Sequence, residues 1–162
     1  MVAKAVPENV IISDATVLIN FLEIGEFRVL LKTFKGRLHI TNVVRGEIRR
    51  NRKQLEDAIA KGEIEEHEIP VQHVQHLEKS FASFNAGEAS CFVLAKENSW
   101  RVATDDGKAK EFVRTELGNA YVVTTFDILL EGIDFGVINK KDAESLLEEM
   151  ESKAHFLYKQ QH

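Results

Sequence analysis

The segment VIISDATVLINFLEIG, residues 10–25, contains the first change from a strand pattern to a helix pattern. Residues 10–13 are mainly β-branched and apolar, which predicts a short buried strand. Asp14 follows, and residues 15–24 then carry apolar side chains at helical spacing up to Gly25, which can end a helix. The same order of strand, acidic residue and helix returns at residues 100–117 and indicates an α/β fold.

Strand and helix patterns alternate along the rest of the chain. Further strands are predicted at residues 37–40, 64–69, 100–103 and 120–124. Helices are predicted at 26–34, from Thr41 or Asn42 to about 50, and at 53–60, 71–84, 86–97, 107–117, 126–135 and 139–158. This alternation predicts a mostly parallel central sheet of about five strands flanked by helices, an α/β/α sandwich. The polar strand that ends at Pro70 is expected on an edge of the sheet.

Length and composition limit the class of protein. With 162 residues, 44% of them hydrophobic, the chain is expected to be a single domain, 1–162. Residues 126–158 are expected to form a C-terminal helical extension that packs on the domain or on a partner. A net charge of −5 argues against a protein that coats DNA, but a nuclease with an acidic metal pocket remains compatible with it.

The chain carries few signals for redox chemistry or for a membrane. Cys91 is the single cysteine, which excludes an intrachain disulfide and a thiolate zinc site, and its apolar helical surroundings predict a core position. No apolar run approaches the ~20 residues that span a bilayer, so no membrane partner is expected and the expected location is cytoplasmic.

Acidic residues occur at four places where an α/β fold would bring them toward one edge of the sheet. Asp14 and the pair Asp105-Asp106 directly follow strands, whose carboxyl ends meet at that edge. Glu47 and Glu88 lie on predicted helices that can face the same edge. Carboxylates that are gathered without matching cations bind a hard divalent ion such as Mg²⁺. The set therefore indicates metal-assisted phosphodiester chemistry, with one ion or two.

Each acidic residue also has a structural explanation. Asp14, Asp105 or Asp106 can cap the helix that follows, and Glu88 lies three residues after Asn85, as in a capping box. Glu47 can belong to a solvated charged helix face. The metal-site hypothesis depends on all four positions together, because capping does not require them to face one sheet edge.

The ordered set of acidic motifs resembles the PIN domain, a metal-dependent ribonuclease fold. The matching segments are residues 14–18, 44–48, 87–89 with the helix that follows, and 104–109, and the order holds from about residue 9 to 125. The tail, residues 132–147, is similar to that of an archaeal and bacterial PIN subgroup of nucleic-acid-binding proteins.

The resemblance implies a set of residue roles, a cofactor and partners. Asp14, Glu47, Glu88 and one or both of Asp105 and Asp106 would be catalytic and would hold Mg²⁺ or Mn²⁺. Thr16 and Thr104 would support the carboxylates by hydrogen bonding. The family's activity implies an endoribonuclease that hydrolyses RNA, with an antitoxin protein as a partner if the chain is the toxin of a toxin–antitoxin pair. Many members of the family form homodimers.

Basic residues near the acids are candidates for phosphate contacts. Arg45 and Arg49 share a predicted helix face beside Glu47, and Lys108 follows the aspartate pair. A solvated basic face is the alternative for each of them. His73 and His76 have no further ligand nearby in the sequence and are interpreted as surface residues, whereas Trp100 is interpreted as packing.

Other function classes fit less well. A catalytically inactive PIN-fold module that binds RNA or supports assembly is the main alternative, although such members have usually lost at least one acid. A phosphatase of the haloacid dehalogenase type needs a second Asp two residues after Asp14, where this chain has Thr16. A response-regulator receiver needs a Lys after the fifth strand, where this chain has Thr124-Thr125.

Overall fold

Five parallel strands form one sheet in the computed structural model, which describes residues 8–153. The strand order is β3-β2-β1-β4-β5, and the first strand is central. The strands are β1 (Val10–Ile12), β2 (Leu38–Thr41), β3 (Ile64–His67), β4 (Arg101–Ala103) and β5 (Val122–Val123). The prediction of an α/β fold with a parallel sheet is confirmed, and the polar strand β3 lies on an edge as expected.

Helices connect the strands and cover both faces of the sheet. Within residues 8–153 they are α1 (Ala15–Glu23), α2 (Phe27–Thr33), α3 (Asn42–Arg45), α4 (Arg52–Ala60), α5 (Val71–Ser80), α6 (Ala86–Asn98), α7 (Gly107–Glu116), α8 (Thr125–Asp134) and α9 (Lys140–Lys153). α1, α2, α8 and α9 contact one another, whereas α6 contacts α5, α3 and the strands β1, β2 and β4. None of these helices has the length and apolar character that crossing a bilayer requires.

The central strand explains why the sheet forms in this order. All three residues of β1 are fully buried, and this strand pairs in parallel with β2 on one side and with β4 on the other. A strand that is buried on both faces is apolar throughout, as Val10, Ile11 and Ile12 are. Because every strand runs the same way, all of their carboxyl ends lie at one edge of the sheet.

The predicted helix from Thr41 or Asn42 to about residue 50 is wrong in its length. α3 ends at Arg45, and the next residues form tighter turns in which Glu47 N–H donates to the Val44 carbonyl at 3.0 Å. Ile48 is fully buried after this turn, so the chain leaves the helical path to place an apolar side chain in the core. Asn51 then adopts a left-handed conformation (φ 58°) before α4 starts. Glu47 therefore lies in a turn and not on a helix.

The last helix closes one side of the core. α9 contacts α1 and α8, and its buried residues are Ala143, Leu146 and Met150. The part of the predicted helix 139–158 that follows Lys153 lies outside the described residues. The helix that packs behind α1 therefore supports the element that begins at Asp14.

Candidate functional site

An open cavity of about 440 Å³ lies at the carboxyl ends of the strands. Asp14, Glu47, Glu88 and Asp106 all line it, although they come from four different parts of the chain. The complete lining is Ser13, Asp14, Ala15, Thr16, Glu47, Ser83, Phe84, Asn85, Glu88, Asp106 and Lys108. The structure thus brings together four of the five predicted acidic residues, and it leaves Asp105 out of the lining.

Asp14 joins the ends of two neighbouring strands. It is the N-cap of α1, and its Oδ1 accepts a hydrogen bond from the Thr16 backbone N–H at 2.9 Å. Its Oδ2 accepts from the Asp105 backbone N–H at 3.2 Å. Asp14 therefore both caps α1 and lines the cavity. Its carboxylate is held in one orientation at the floor of the cavity by backbone groups from two elements.

Asp105 and Asp106 point in different directions. Asp105 is 2% exposed, and its carboxylate accepts from the Thr125 N–H at 2.8 Å, from the Thr125 hydroxyl at 2.6 Å and from Asn20 Nδ2 at 3.3 Å. Asp106 is exposed and lines the cavity, and its Oδ2 accepts from the Ala109 N–H at 2.8 Å as the N-cap of α7. The Asp106 carboxylate thus faces the cavity, where a ligand can reach it. The Asp105 carboxylate instead forms buried hydrogen bonds that connect the end of β4 to α1 and α8.

Glu88 also combines a structural contact with a place in the cavity. Its Oε1 accepts from the Asn85 N–H at 3.3 Å, while the Glu88 N–H donates to Asn85 Oδ1 at 2.8 Å. This is the reciprocal capping box expected from the sequence, at the start of α6. The box sets the position of the Glu88 side chain at the cavity wall.

Glu47 reaches the cavity because Gly87 has no side chain. A Cβ added at Gly87 would lie 2.8 Å from Glu47 Oε1, closer than real Cβ contacts allow. The carboxylate of Glu47 therefore lies against Gly87 in the first turn of α6. Gly87 immediately precedes Glu88 in the chain. The turn after α3 and the glycine of α6 together bring the two glutamates to the same wall.

The two glutamates of the cavity have raised pKa values. Burial raises the pKa of Glu47, and the nearby charges of Asp14 and Glu88 raise it further. Burial also raises the pKa of Glu88, to which the charges of Asp106 and Asp14 add, while the hydrogen bond from Asn85 acts in the opposite direction. Mutual repulsion of this kind is relieved when a cation binds between the carboxylates.

One of the three predicted phosphate-binding residues lies in the cavity wall. Lys108 lines the cavity, its Nζ donates to the Ser83 carbonyl at 2.8 Å, and it lies 5.4 Å from the centre of the Phe84 ring. Arg45 forms an ion pair with Glu66 of β3, and Arg49 is exposed. Neither arginine belongs to the lining formed by the described residues.

The two threonines expected to support the carboxylates make different contacts. Thr16 lines the cavity, and its backbone N–H, not its hydroxyl, donates to Asp14. The Thr104 hydroxyl accepts from the Asp106 N–H at 3.1 Å and therefore fixes backbone, not a carboxylate. Within residues 8–153, the Thr125 hydroxyl donates to a carboxylate, that of Asp105.

Sequence reasoning does not single out Asn20, Thr125 or Gly87. Asn20 is fully buried, donates to Asp105 and Thr125, and is a polar residue within the apolar segment 17–22, which is a signal that could identify it. Gly87 sits inside a predicted helix next to an acidic residue, where a glycine indicates a close approach by another group. The sequence carries no comparable signal for Thr125.

A comparison with known families gives the family of the chain. A family model described as a PIN domain matches residues 10–162, most of the chain. The chain belongs to the PIN domain family. No curated protein and no solved structure matches it. PIN domains are usually nucleases and typically bind divalent metals.

The cavity of this PIN domain fits a hard divalent cation in its donor chemistry. Asp14, Glu47, Glu88 and Asp106 offer oxygen atoms alone, which such cations prefer. Within residues 8–153, the three-residue group whose ligand atoms all lie within 4.8 Å of one another is found elsewhere, on β2 and β3. Among the described residues, no three acids of the cavity are grouped this closely.

Proposed function

We propose that this PIN domain is a metal-dependent endoribonuclease that hydrolyses phosphodiester bonds of RNA. The observation that carries the proposal is the convergence of Asp14, Glu47, Glu88 and Asp106 in one open cavity, where each carboxylate comes from a different part of the chain. A protein that needs only helix caps does not need four acids on one cavity wall. Repulsion among them destabilises the fold, and a function that requires a bound cation accounts for it.

The four carboxylates of the cavity would hold Mg²⁺ or Mn²⁺. When bound, the ion lowers the pKa of a coordinated water and stabilises negative charge on the phosphate. Asp14 is oriented for this by two backbone N–H groups, and Asp106 by the first turn of α7. Asp105 does not reach the cavity, so we assign it a positioning role: its backbone N–H holds Asp14.

Lys108 is the residue best placed to bind the substrate. It is the one basic residue among the described residues that line the cavity, and it stands beside Asp106 on the first turn of α7. Its ammonium group can contact a non-bridging oxygen of the RNA phosphate whose phosphorus is attacked by water, or of the next phosphate along the chain. Arg45 and Arg49 lie outside the lining and would contact the RNA chain further from the cleaved bond.

The first test is cleavage of a mixed single-stranded RNA pool by the purified full-length protein. We expect cutting with Mg²⁺ or Mn²⁺, none with EDTA, and a loss on the order of 100-fold or more in Asp14→Asn, because a metal ligand is removed. Asp134→Asn is the matched control, since Asp134 is exposed at the end of α8, away from the cavity. Unchanged cutting by Asp14→Asn would contradict the mechanism.

Two further measurements separate the alternatives. Cutting of single-stranded DNA in preference to RNA would overturn the substrate class but not the nuclease. Binding of Mn²⁺ without cleavage of any nucleic acid would contradict catalysis and favour the inactive module that binds RNA or supports assembly. Circular dichroism of Asp14→Asn shows whether the variant is folded, and asparagine keeps the Oδ1 acceptor that caps α1.

We extend the proposal to the toxin of a toxin–antitoxin pair that acts in the cytoplasm. An open acidic cavity is complementary to a basic side chain, which is the means by which a protein inhibitor would block it. A homodimer is proposed on the exposed apolar side chains Phe126, Leu130 and Phe135 of the α8 region. The Asp14→Asn comparison, made on growth of a bacterial host that expresses each protein, tests the toxin role.

A further inference from the structure

A second group of ligand-type side chains lies on β2 and β3, apart from the acidic cavity. It consists of His39, Glu65 and His67, which offer one ligand atom each within 4.8 Å of one another. His39 Nδ1 lies 3.0 Å from His67 Nε2, and the Glu65 carboxylate lies 3.6 Å from His39 Nδ1 and 3.9 Å from His67 Nε2. None of the three lines the cavity that holds Asp14.

The register of the parallel strands produces this group. His39 is paired with Glu65 across the β2–β3 ladder, and His67 follows Glu65 by two residues. Side chains two residues apart on a strand project from the same face of a sheet. The histidine of β2 and both side chains of β3 therefore meet on one face at the edge of the sheet.

The ring of His39 is held in a fixed orientation. Its Nε2 lies 2.9 Å from Asn9 Oδ1, so the Nε2–H group donates there and the lone pair lies on Nδ1, toward His67 and Glu65. Trp100 stacks on the ring at a centroid distance of 3.8 Å and an interplanar angle of 12°. A hydrogen bond from the second ring nitrogen to a neighbouring oxygen is the usual support of a metal-bound histidine.

The exposure of the group also suits a metal. Side-chain exposure rises from 7% for His39 to 23% for His67 and 67% for Glu65. The site is thus anchored in the sheet on one side and open to solvent on the other, which gives an ion a path of entry.

We propose that His39, His67 and Glu65 bind Zn²⁺, with water as the fourth ligand. Tetrahedral Zn²⁺ with ligand bonds of about 2.0–2.2 Å separates its ligand atoms by about 3.3 Å. In the structure the two ring nitrogens lie 3.0 Å apart, Glu65 Oε2 lies 3.6 Å from His39 Nδ1, and Glu65 Oε1 lies 3.9 Å from His67 Nε2, all close to that value. Two imidazoles and one carboxylate are a borderline-soft donor set that suits Zn²⁺, in contrast to the all-oxygen cavity. The ion would join the edge strand β3 to β2, and this role does not depend on the nuclease.

Trp100 provides a direct measurement of this site. It is the single tryptophan of the chain and it stacks on His39, so its fluorescence responds to an ion on that ring. We expect Zn²⁺ added to the metal-free full-length protein to change the Trp100 fluorescence and to saturate at one equivalent. Co²⁺ should give the intense visible absorption of a four-coordinate complex, and Zn²⁺ should raise the Tm.

Variants distinguish this site from other places where Zn²⁺ could bind. Glu65→Gln and His67→Gln should each weaken Zn²⁺ binding by on the order of tenfold or more. Both residues are at the sheet edge, and circular dichroism checks that the variants are folded. Asp14→Asn and the double variant His73→Ala/His76→Ala should keep the full fluorescence response, because the acidic cavity and α5 are not involved.

Three outcomes would overturn the proposed Zn²⁺ site. A fluorescence response that is the same in His67→Gln and Glu65→Gln as in the natural chain would place the ion elsewhere. A response that is lost in Asp14→Asn would assign it to the acidic cavity. No response to Zn²⁺ in the natural chain would leave the His39–His67 contact as a hydrogen bond alone.

Discussion

Asp105 and Asp106 are neighbours in the chain with different environments. The Asp105 carboxylate accepts three hydrogen bonds from Thr125 and Asn20 inside the protein. Burial raises its pKa, although the hydrogen bonds from Thr125 act in the opposite direction. The Asp106 carboxylate faces the cavity and accepts one N–H group of α7. Asp105 therefore supports the end of the strand from inside the protein, whereas Asp106 presents its carboxylate to the cavity.

Replacing each aspartate by alanine should show this division. Asp105→Ala leaves two donors of Thr125 and one of Asn20 buried without an acceptor, so we expect it to lower the free energy of unfolding by about 3 kcal/mol. Asp106→Ala removes a helix cap, which costs about 1 kcal/mol, but it should remove most of the Mn²⁺ affinity. Urea unfolding and Mn²⁺ titration of both variants measure the two effects. Normal Mn²⁺ affinity in Asp106→Ala would contradict the assignment.

How far single residues can be predicted from the sequence depends on how local their contacts are. Asp14, Asp106 and Glu88 cap helices that start within three residues, so their positions follow from short-range patterns. The contacts of Asp105 with Asn20 and Thr125 span 85 and 20 residues, and no local pattern encodes them. The choice between the two aspartates therefore stays open in the sequence.

At the scale of elements, the length of α3 is a property that the sequence pattern does not predict correctly. The pattern after β2 continues as a helix, and the structure stops it at Arg45 because Ile48 is buried in the core. Core packing competes with helical propensity, and a single sequence does not show which of the two wins. The parallel sheet, in contrast, follows from the alternation of strands and helices, and this part of the prediction is confirmed.

The buried His39, on the strand β2, should make the free energy of unfolding depend on pH. His39 is neutral in the fold, where its pKa is about 4, against an ordinary value of 6.5, because of burial and then the charge of His67, while Glu65 acts in the opposite direction. The unfolded chain therefore takes up a proton in the window between these values, in which the folded protein does not. Stability should fall as the pH drops from 6.5 toward 4, by about 2 kcal/mol between pH 7 and pH 5.

Urea unfolding with EDTA at pH 7 and pH 5 measures this loss. His39→Phe keeps a ring beside Trp100 and removes the titrating group, so the difference between the two pH values should shrink in that variant. Carboxylates of the acidic cavity titrate equally in both proteins and cancel in the comparison. An equal loss of stability in His39→Phe would show that another group is responsible.

At the scale of the whole molecule, the proposed cation site would couple the free energy of unfolding to the concentration of divalent cations. The ionised form of Glu47 is less favourable in the fold than in the unfolded chain, because burial and the charges of Asp14 and Glu88 raise its pKa. At neutral pH this difference acts against the folded state. A bound cation reverses it, since a ligand that binds the folded state alone stabilises that state.

Thermal unfolding of Glu47→Gln tests this link. With EDTA the variant should have a higher Tm than the natural chain, because a repelled charge is removed. With Mg²⁺ the natural chain should gain more than the variant, so the difference should shrink or reverse. Asp134→Asn, which changes a charge far from the cavity, should leave both values unchanged. A lower Tm of Glu47→Gln with EDTA would contradict the repulsion.

The pairing of β1 with β4 has a consequence for the synthesis of the protein. Asp14 is synthesised before Asp105, whose backbone N–H is one of the two that orient the Asp14 carboxylate and lies 91 residues later, and Asp106 follows that group. A nascent chain holds two strands and Glu47 long before it has the strand that places the last acid. The carboxylates cannot converge until β4 has been made and docked. The proposed ribonuclease activity would therefore arise in a growing chain only after most of the domain has emerged.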